Sequence, residues 1–421
     1  MSDFDLLPGK ASILPSDLIL NISFFVVYLA LLWLTTKLPM GVLRRVLFLI
    51  INLACAALIC AAQGDNVTYL DAYMQGLRDL GPYVILISAI YIATRFLAFG
   101  QSWWIAAFLP IILLAIIRYA PASAVLRQEH WIGFSYMAFR LSQLVVIVRN
   151  KLTPMPGLLE YLGFAFFAPT LMAGPISSYS TFAASESASD KSITPPLTCF
   201  MRVIIGACKV LFFSSVLSRL TYKGLLLDYH PHPPIDLVVA AIAYYLYLYF
   251  NFSGYCDIAI GASGLVGIKV SENFNKPFAA RNIQDFWNRW HITLSSFMRD
   301  MFFSPVSKAL VSRLPAPMAP HAIALTIFMV FVLIGAWHGR GLNFLIYGGI
   351  HATAVVTNYY YGLALKKYLT KEQFRAYQQN KYIKAVCIVV TFMFVAASLF
   401  FLANSFFEMF EIIYFINAFQ K

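Results

Sequence analysis

His291 and His338 each stand beside tryptophan in the apolar C-terminal half of the chain, in Phe286-Trp-Asn-Arg-Trp-His-Ile-Thr-Leu-Ser295 and Gly335-Ala-Trp-His-Gly339. A third histidine closes Gly348-Gly-Ile-His351. Imidazole takes up and returns a proton near neutral pH without first being strongly perturbed. Two such groups in apolar surroundings suit the activation of a hydroxyl in a low-dielectric passage, so His338 and His291 are the expected reaction centre. They lie far enough apart in sequence to occupy different elements, and only the tertiary fold can join them. A lone histidine in an apolar helix is more often a satisfied structural residue, although ionisable groups at membrane depth raise the functional expectation.

The elements that must position them are membrane helices. Of 421 residues, 60% are hydrophobic and 12% charged, with 37 Phe, 24 Tyr and a mean hydropathy of +0.72. A water-soluble globule could not hide that much apolar surface. Counting runs of roughly 20 apolar residues predicts about eleven spans, over residues 18–34, 46–62, 83–99, 103–117, 134–148, 158–172, 200–217, 235–252, 322–337, 344–360 and 385–402. The N-terminus, with Asp3 and Asp5 ahead of a long apolar run, does not read as a cleavable signal, so the first span is expected to direct insertion. The net charge of +12 comes from cations scattered singly between apolar runs, which argues against nucleic acid and for membrane topology. Lys37, Arg44 and Arg45 form one basic loop, and Lys366, Lys367, Lys371, Arg375, Lys381 and Lys384 another. Both are expected in the cytoplasm, with the N-terminus outside. Six cysteines, Cys55, Cys60, Cys199, Cys208, Cys256 and Cys387, show neither metal-like nor disulfide spacing and read as buried thiols.

Residues 1–150 read as helical scaffold, 151–361 as the core that carries the chemistry, and 362–421 as a basic cytoplasmic loop with C-terminal helices. Together they form effectively one membrane domain. Gly174-Pro175 is expected to break a helix, and the Ser-rich stretch 183–196 to form a surface loop. No uninterrupted span is expected in 253–320. Within it, Phe286, Trp290, Leu294, Phe297 and Met298 recur at helical spacing, predicting an amphipathic helix over 283–303 with Asp285 and Arg289 as an ion pair. Such a helix lies in the interface or lines a protein cavity.

From Asn251-Phe-Ser-Gly-Tyr-Cys-Asp257, through Glu272-Asn-Phe-Asn-Lys-Pro-Phe278 and the 286–295 stretch, to Trp337-His-Gly339, the ordered motifs resemble the membrane-bound O-acyltransferase (MBOAT) family. Their wording is nearest to its D-alanyl-transferring branch from teichoic acid systems. The resemblance covers residues 171–352 best and implies an all-α polytopic membrane protein, with spanning and re-entrant helices around a central tunnel, in a bacterial cell membrane. It implies His338 as the catalytic histidine and His291 as its characteristic partner. It further implies an acyl donor carried as a phosphopantetheine thioester on a small acyl carrier protein, no permanently bound cofactor, a membrane-anchored hydrolase-like accessory protein, and a small membrane peptide.

A hydroxyl becomes a competent nucleophile when a base takes its proton, a role assigned to His338. The developing oxyanion needs a donor, which His291, Asn288 or a backbone N–H near Gly339 could supply. Trp287, Asn288, Trp290, Ser295, Trp337, Gly339 and His351 are expected to line the cavity. Lys276, Arg281, Arg289 and Arg299 are candidates for a donor phosphate, or simply interface anchors. His130, His230, His232 and His321 read as solvated imidazoles. A zinc site from His291, His338 and His351 lacks an accompanying carboxylate or thiol. Alginate-type O-acetylation is the alternative within the enzyme class, although Met301-Phe-Phe-Ser-Pro305 departs from the Leu-Gly-Gly-Asn-Arg-like stretch expected after Arg299-Asp300 in those relatives. A transporter or flippase would need paired broken helices in two related halves, whereas the polar motifs cluster in one.

Overall fold

In hydrocarbon, backbone N–H and C=O groups must find partners within the protein, and a helix meets that demand inside a single segment. Helix is the form the apolar runs take in the computed structural model, which describes residues 15–61, 69–119, 131, 133–187, 194–228 and 230–419. Asp3, Asp5 and His130 lie outside the described residues, as does the side chain of Cys60. Among the described residues there is no named strand, only an isolated antiparallel bridge between Phe274 and Trp290.

One unit comprises Lys10–Gly206 with Tyr255–Ser271. It contains α1 (Pro15–Thr35), α2 (Val42–Ala61), α3 (Tyr69–Leu97), α4 (Trp103–Tyr119), α5 (Phe134–Arg149), α6 (Leu158–Ala165), α7 (Tyr179–Ser187) and most of α8 (Pro196–Cys208). Its interior holds polar knots rather than uniform grease. The buried Arg140 guanidinium donates to Thr170 Oγ1 at 2.7 Å and to the Ala165 carbonyl at 3.0 Å, and lies over the Phe164 ring. Asn52 accepts from the Tyr28 hydroxyl and from the Ala168 N–H, both at 2.9 Å.

The other unit, Ala207–Gly254 with Glu272–Lys421 and the undescribed Met1–Gly9, carries both candidate histidines. It includes α9 (Ser215–Ser218), the part of α10 (Pro234–Leu265) through Gly254, α11 (Ile283–Trp287), α12 (Ile292–Met298), α13 (Ser304–Val311), α14 (Ala319–His338), α15 (Leu342–Tyr368), α16 (Lys371–Gln379), α17 (Lys381–Ala403) and α18 (Phe406–Phe419). The hairpin of α14 and α15 is its backbone. These helices cross where two glycines meet: a Cβ on Gly348 would fall 2.6 Å from the Phe331 carbonyl oxygen and 3.1 Å from Gly335 Cα. Small residues allow such close backbone approach between membrane helices.

Several sequence expectations change. Six described stretches are long and apolar enough to cross a membrane, Val42–Ile59, Gly76–Leu97, Pro196–Leu226, Pro234–Leu265, Ala316–His338 and Lys381–Ala403, fewer than the runs counted from sequence. The run at 158–172 ends as helix at Ala165, and Pro169, which has no N–H to donate, sits in the following 3-10 turn at Ala168–Thr170. The run at 344–360 lies in the 27-residue α15, where Asn343, Gly348, Gly349, His351 and Thr353 dilute its apolarity. Conversely, α10 continues through Ser253-Gly254 to Leu265, because one interior glycine costs a helix only about 1 kcal/mol. The stretch expected as loop at 183–196 is helical through Ser187, and 188–193 lie outside the described residues. Of the described cysteines, Cys199 and Cys256 are buried and Cys55 and Cys387 partly so, but Cys208 is exposed.

Gly348→Val should force α14 and α15 apart and lower stability by about 1–3 kcal/mol, the usual range for overpacking. A thermal melt in detergent checks this, and an unchanged midpoint would remove the Gly335–Gly348 crossing as the hairpin's constraint.

Candidate active site

The amphipathic helix expected over 283–303 does not form as one piece. It breaks into α11, α12 and a π-type turn at Arg299–Phe303. The first break is His291, whose φ of 47° and ψ of 50° place it in the left-handed region. Asn, Asp and His tolerate that region better than most residues, but it still stores strain that the surroundings must hold. The hold comes from a segment distant in sequence. Asn275 N–H donates to the Arg289 carbonyl at 2.9 Å and Ile292 N–H to the Asn273 carbonyl at 3.0 Å, flanking the Phe274–Trp290 bridge. A helix cannot continue through backbone committed to such a pairing.

A bed of rings supports this break. Tyr245, Tyr249 and Phe252 recur at helical spacing on α10. Tyr249 meets Phe274, Phe278 and Trp290 with centroids 5.6, 4.6 and 6.3 Å away. Phe252 meets Phe274 at 5.2 Å and the His291 imidazole at 4.8 Å. Aromatic pairs in edge-on geometry contribute beyond their buried area.

From His291 a continuous run of rings reaches the other two histidines. Trp337 lies 6.1 Å from His291 and 4.8 Å from His338. His338 faces Tyr347 at 5.7 Å, and Tyr347 faces His351 at 4.6 Å. Tyr347 and His351 share a face of α15 because they are four residues apart. His338 is the last residue of α14. Gly339 follows because a Cβ there would enter the Phe344 ring. All three histidines are buried. Burial pushes the His291 imidazole down to about 3, so at neutral pH the ring is uncharged and carries one proton.

His351 is held at both nitrogens. Trp287 Nε1–H donates to its Nδ1 at 3.3 Å, and its Nε2 lies 2.9 Å from Ser398 Oγ, which donates onward to the Val395 carbonyl. Indole N–H can only donate, so Nδ1 accepts and Nε2 carries the proton. This arrangement orients α11, α15 and α17 against one another, and sequence reasoning overlooked Ser398, a single hydroxyl in an apolar run.

The structure thus brings His291, Trp337, His338, Tyr347, His351, Trp287 and Trp290 into one ring cluster, with Gly339 at its edge. Ser295 is half-buried on α12, its N–H bonded to the His291 carbonyl. Asn288 is exposed at the C-terminal cap of α11. The four cations are exposed or ion-paired. Lys276 and Arg281 are exposed, Arg289 pairs with Asp285 at 2.7 Å as expected, and Arg299 pairs with Asp300 at 3.0 Å. His230 and His321 are exposed, but His232 is not the solvated imidazole expected. It is buried between Asp228 at 2.9 Å and Asp236 at 3.3 Å, and its hydrogen bond holds the Asp228 carboxyl below the ordinary range. Among the described residues, no three His, Cys, Asp or Glu side chains converge as metal ligands. Asn273, Thr293 and Tyr347 also belong to the site. The first two were legible only as polar residues flanking the His291 motif, the third as the residue one turn before His351.

Comparison with known proteins matches the chain to one family. The family model "MBOAT, membrane-bound O-acyltransferase family" matches residues 86–406. A teichoic acid D-alanyltransferase of Bacillus subtilis (strain 168) is 32% identical over 284 residues, 63% of this chain and 66% of that protein. One of Streptococcus thermophilus is 25% identical over 317 residues, 72% and 76% of the two chains. A peptidoglycan O-acetyltransferase of Helicobacter pylori is 32% identical over 247 residues, 55% of this chain and 44% of that protein. The matched stretch therefore spans just under two thirds of the first relative and less than half of the last.

Ser398→Ala would leave the His351 Nε2–H without its acceptor in a buried setting, at a cost of about 1–3 kcal/mol. The expected outcome is a lowered melting temperature. A wild-type melt would show that the Ser398 contact does not stabilise the cluster.

Proposed function

Because the chain belongs to the membrane-bound O-acyltransferase family, we propose that it moves an acyl group, D-alanyl in the first instance, from a carrier-protein thioester in the cytoplasm to a hydroxyl of an envelope polymer outside the bacterial cell membrane. The observation that carries this reading is the buried run of rings from His291 through Trp337 to His338, formed from a helix terminus and a left-handed break.

His338 is the base in this reading. As the acceptor oxygen attacks the thioester carbon, its proton passes to the imidazole, a role typically worth about 10²- to 10⁴-fold. The imidazolium forms at the C-terminal end of α14, facing Tyr347. When the tetrahedral intermediate collapses, the carbon–sulfur bond breaks and the proton returns to the leaving thiolate. Trp287, Trp290 and Trp337, all buried, keep water from competing for the acyl group. The two D-alanyltransferase relatives support D-alanine as the cargo, and the carrier, a hydrolase-like accessory protein and a small membrane peptide belong to the same proposal. A second reading, O-acetylation of a surface glycan, is favoured by the match to the peptidoglycan O-acetyltransferase.

His338→Ala is expected to abolish acyl transfer in vesicles while leaving the melting temperature close to wild type; retained turnover would take the base role from His338. Vesicles supplied with carrier loaded with labelled D-alanine, or with a labelled acetyl donor, distinguish the two cargoes. Labelling from the carrier alone is expected, and labelling from the acetyl donor alone would replace D-alanyl transfer by acetylation.

A further inference from the structure

Resting on the acyl-transfer reading, we infer that Asn273 is a positioning residue: its side-chain oxygen holds the proton of His291 on Nδ1, leaving Nε2 as the lone-pair nitrogen, so that His291 can accept a hydrogen bond there and cannot act as an oxyanion donor.

The argument begins with a donor whose direction is fixed. Thr293 N–H can only donate, and it points at Asn273 Oδ1 from 3.2 Å. The Thr293 hydroxyl reaches the same atom at 2.9 Å. The backbone contact identifies the atom as the amide oxygen, since the NH2 end would oppose the N–H, and the hydroxyl then donates to it. His291 Nδ1 lies 3.1 Å from that oxygen. An oxygen accepts, so Nδ1 must carry hydrogen, and a neutral imidazole with its proton on Nδ1 has its lone pair on Nε2. All four groups are buried together: Asn273 is 0% exposed, His291 2% and Thr293 6%.

The backbone makes this more than a chance contact. Asn273 also accepts Ile292 N–H through its main-chain carbonyl at 3.0 Å. One residue therefore binds both the main chain after His291 and the imidazole itself. The left-handed conformation at 291 turns α12 so that Thr293 meets the same amide. The lone-pair nitrogen belongs to a ring that lies between Phe252 and Trp337, the latter adjoining His338. A neutral imidazole in this tautomer cannot donate from Nε2, so the oxyanion must be met by another group. Nε2 can instead accept a hydrogen bond in the ring cluster that holds His338.

The test has a spectroscopic arm independent of turnover. Protein labelled with 15N in the imidazoles, reconstituted in lipid and assigned by difference against His291→Gln, should show His291 protonated at Nδ1 and bare at Nε2 at neutral pH. A proton on Nε2, or a mixture of tautomers, would overturn the inference. In Asn273→Ala the preference should be lost, and kcat should fall about 100-fold, within the range of proton-transfer effects, with KM nearly unchanged. Asn273→Asp, whose carboxylate accepts the same three hydrogen bonds, should keep kcat within about tenfold of wild type and retain the tautomer. Thr293→Val keeps the His291 contact and should cost much less. Equal losses in Asn273→Ala and Thr293→Val, or no rescue by aspartate, would reduce Asn273 to a packing role. If wild-type protein shows the expected tautomer but transfers neither D-alanyl nor acetyl groups, the acyl-transfer reading fails and the tautomer assignment stands.

Discussion

A helix cannot pass through residue 291, and much of the candidate site follows from that constraint. The pairing of Asn273–Asn275 with Arg289–Ile292 takes backbone groups that a helix would use internally and spends them on a partner distant in sequence. In an apolar setting such a departure is tolerated only when each freed group is met elsewhere within the protein. Here the carbonyls of Asn273 and Arg289 and the side-chain oxygen of Asn273 meet them. The break sets Trp290 and His291 among the rings of α10.

The second constraint is the crossing of α14 and α15 at Gly335 and Gly348. It holds the end of α14 against α15, where His338 meets Tyr347, the neighbour of His351. The Trp287–His351–Ser398 hydrogen bonds then tie α11 and α17 to that hairpin. Each histidine has different surroundings: His351 is committed at both nitrogens, His291 is oriented by an amide, and His338 occupies a helix end. Three chemically identical side chains acquire different capacities through their neighbours, as environment-tuned sites generally do.

Much of this was legible early. Periodicity and composition sufficed for a helical membrane protein, because an apolar run has few alternatives in lipid. The Trp-His-Gly and Trp-Asn-Arg-Trp-His stretches pointed to the residues that share the ring cluster. The Asp285–Arg289 pair followed from four-residue spacing. Spacing also misled, since Phe286, Trp290, Leu294 and Phe297 fit a single helix that the structure divides. The competing interaction, Asn273 with Ile292 and Thr293, is non-local, and periodicity carries no information about it. His232 misled for a different reason, since its two carboxylate neighbours lie only four residues away on either side and were legible in the sequence.

What the sequence determined by itself was the class of structure and the inventory of chemistry: apolar runs that lipid compels into helices, and histidines flanked by tryptophan. The fold alone decided which imidazoles share a cluster, which nitrogen of His351 carries the proton, and where the helix over 283–303 must break. Those outcomes depend on contacts between residues far apart along the chain, such as Asn273 with His291, His351 with Ser398 and Gly335 with Gly348. Only a folded chain brings such partners within a few ångströms.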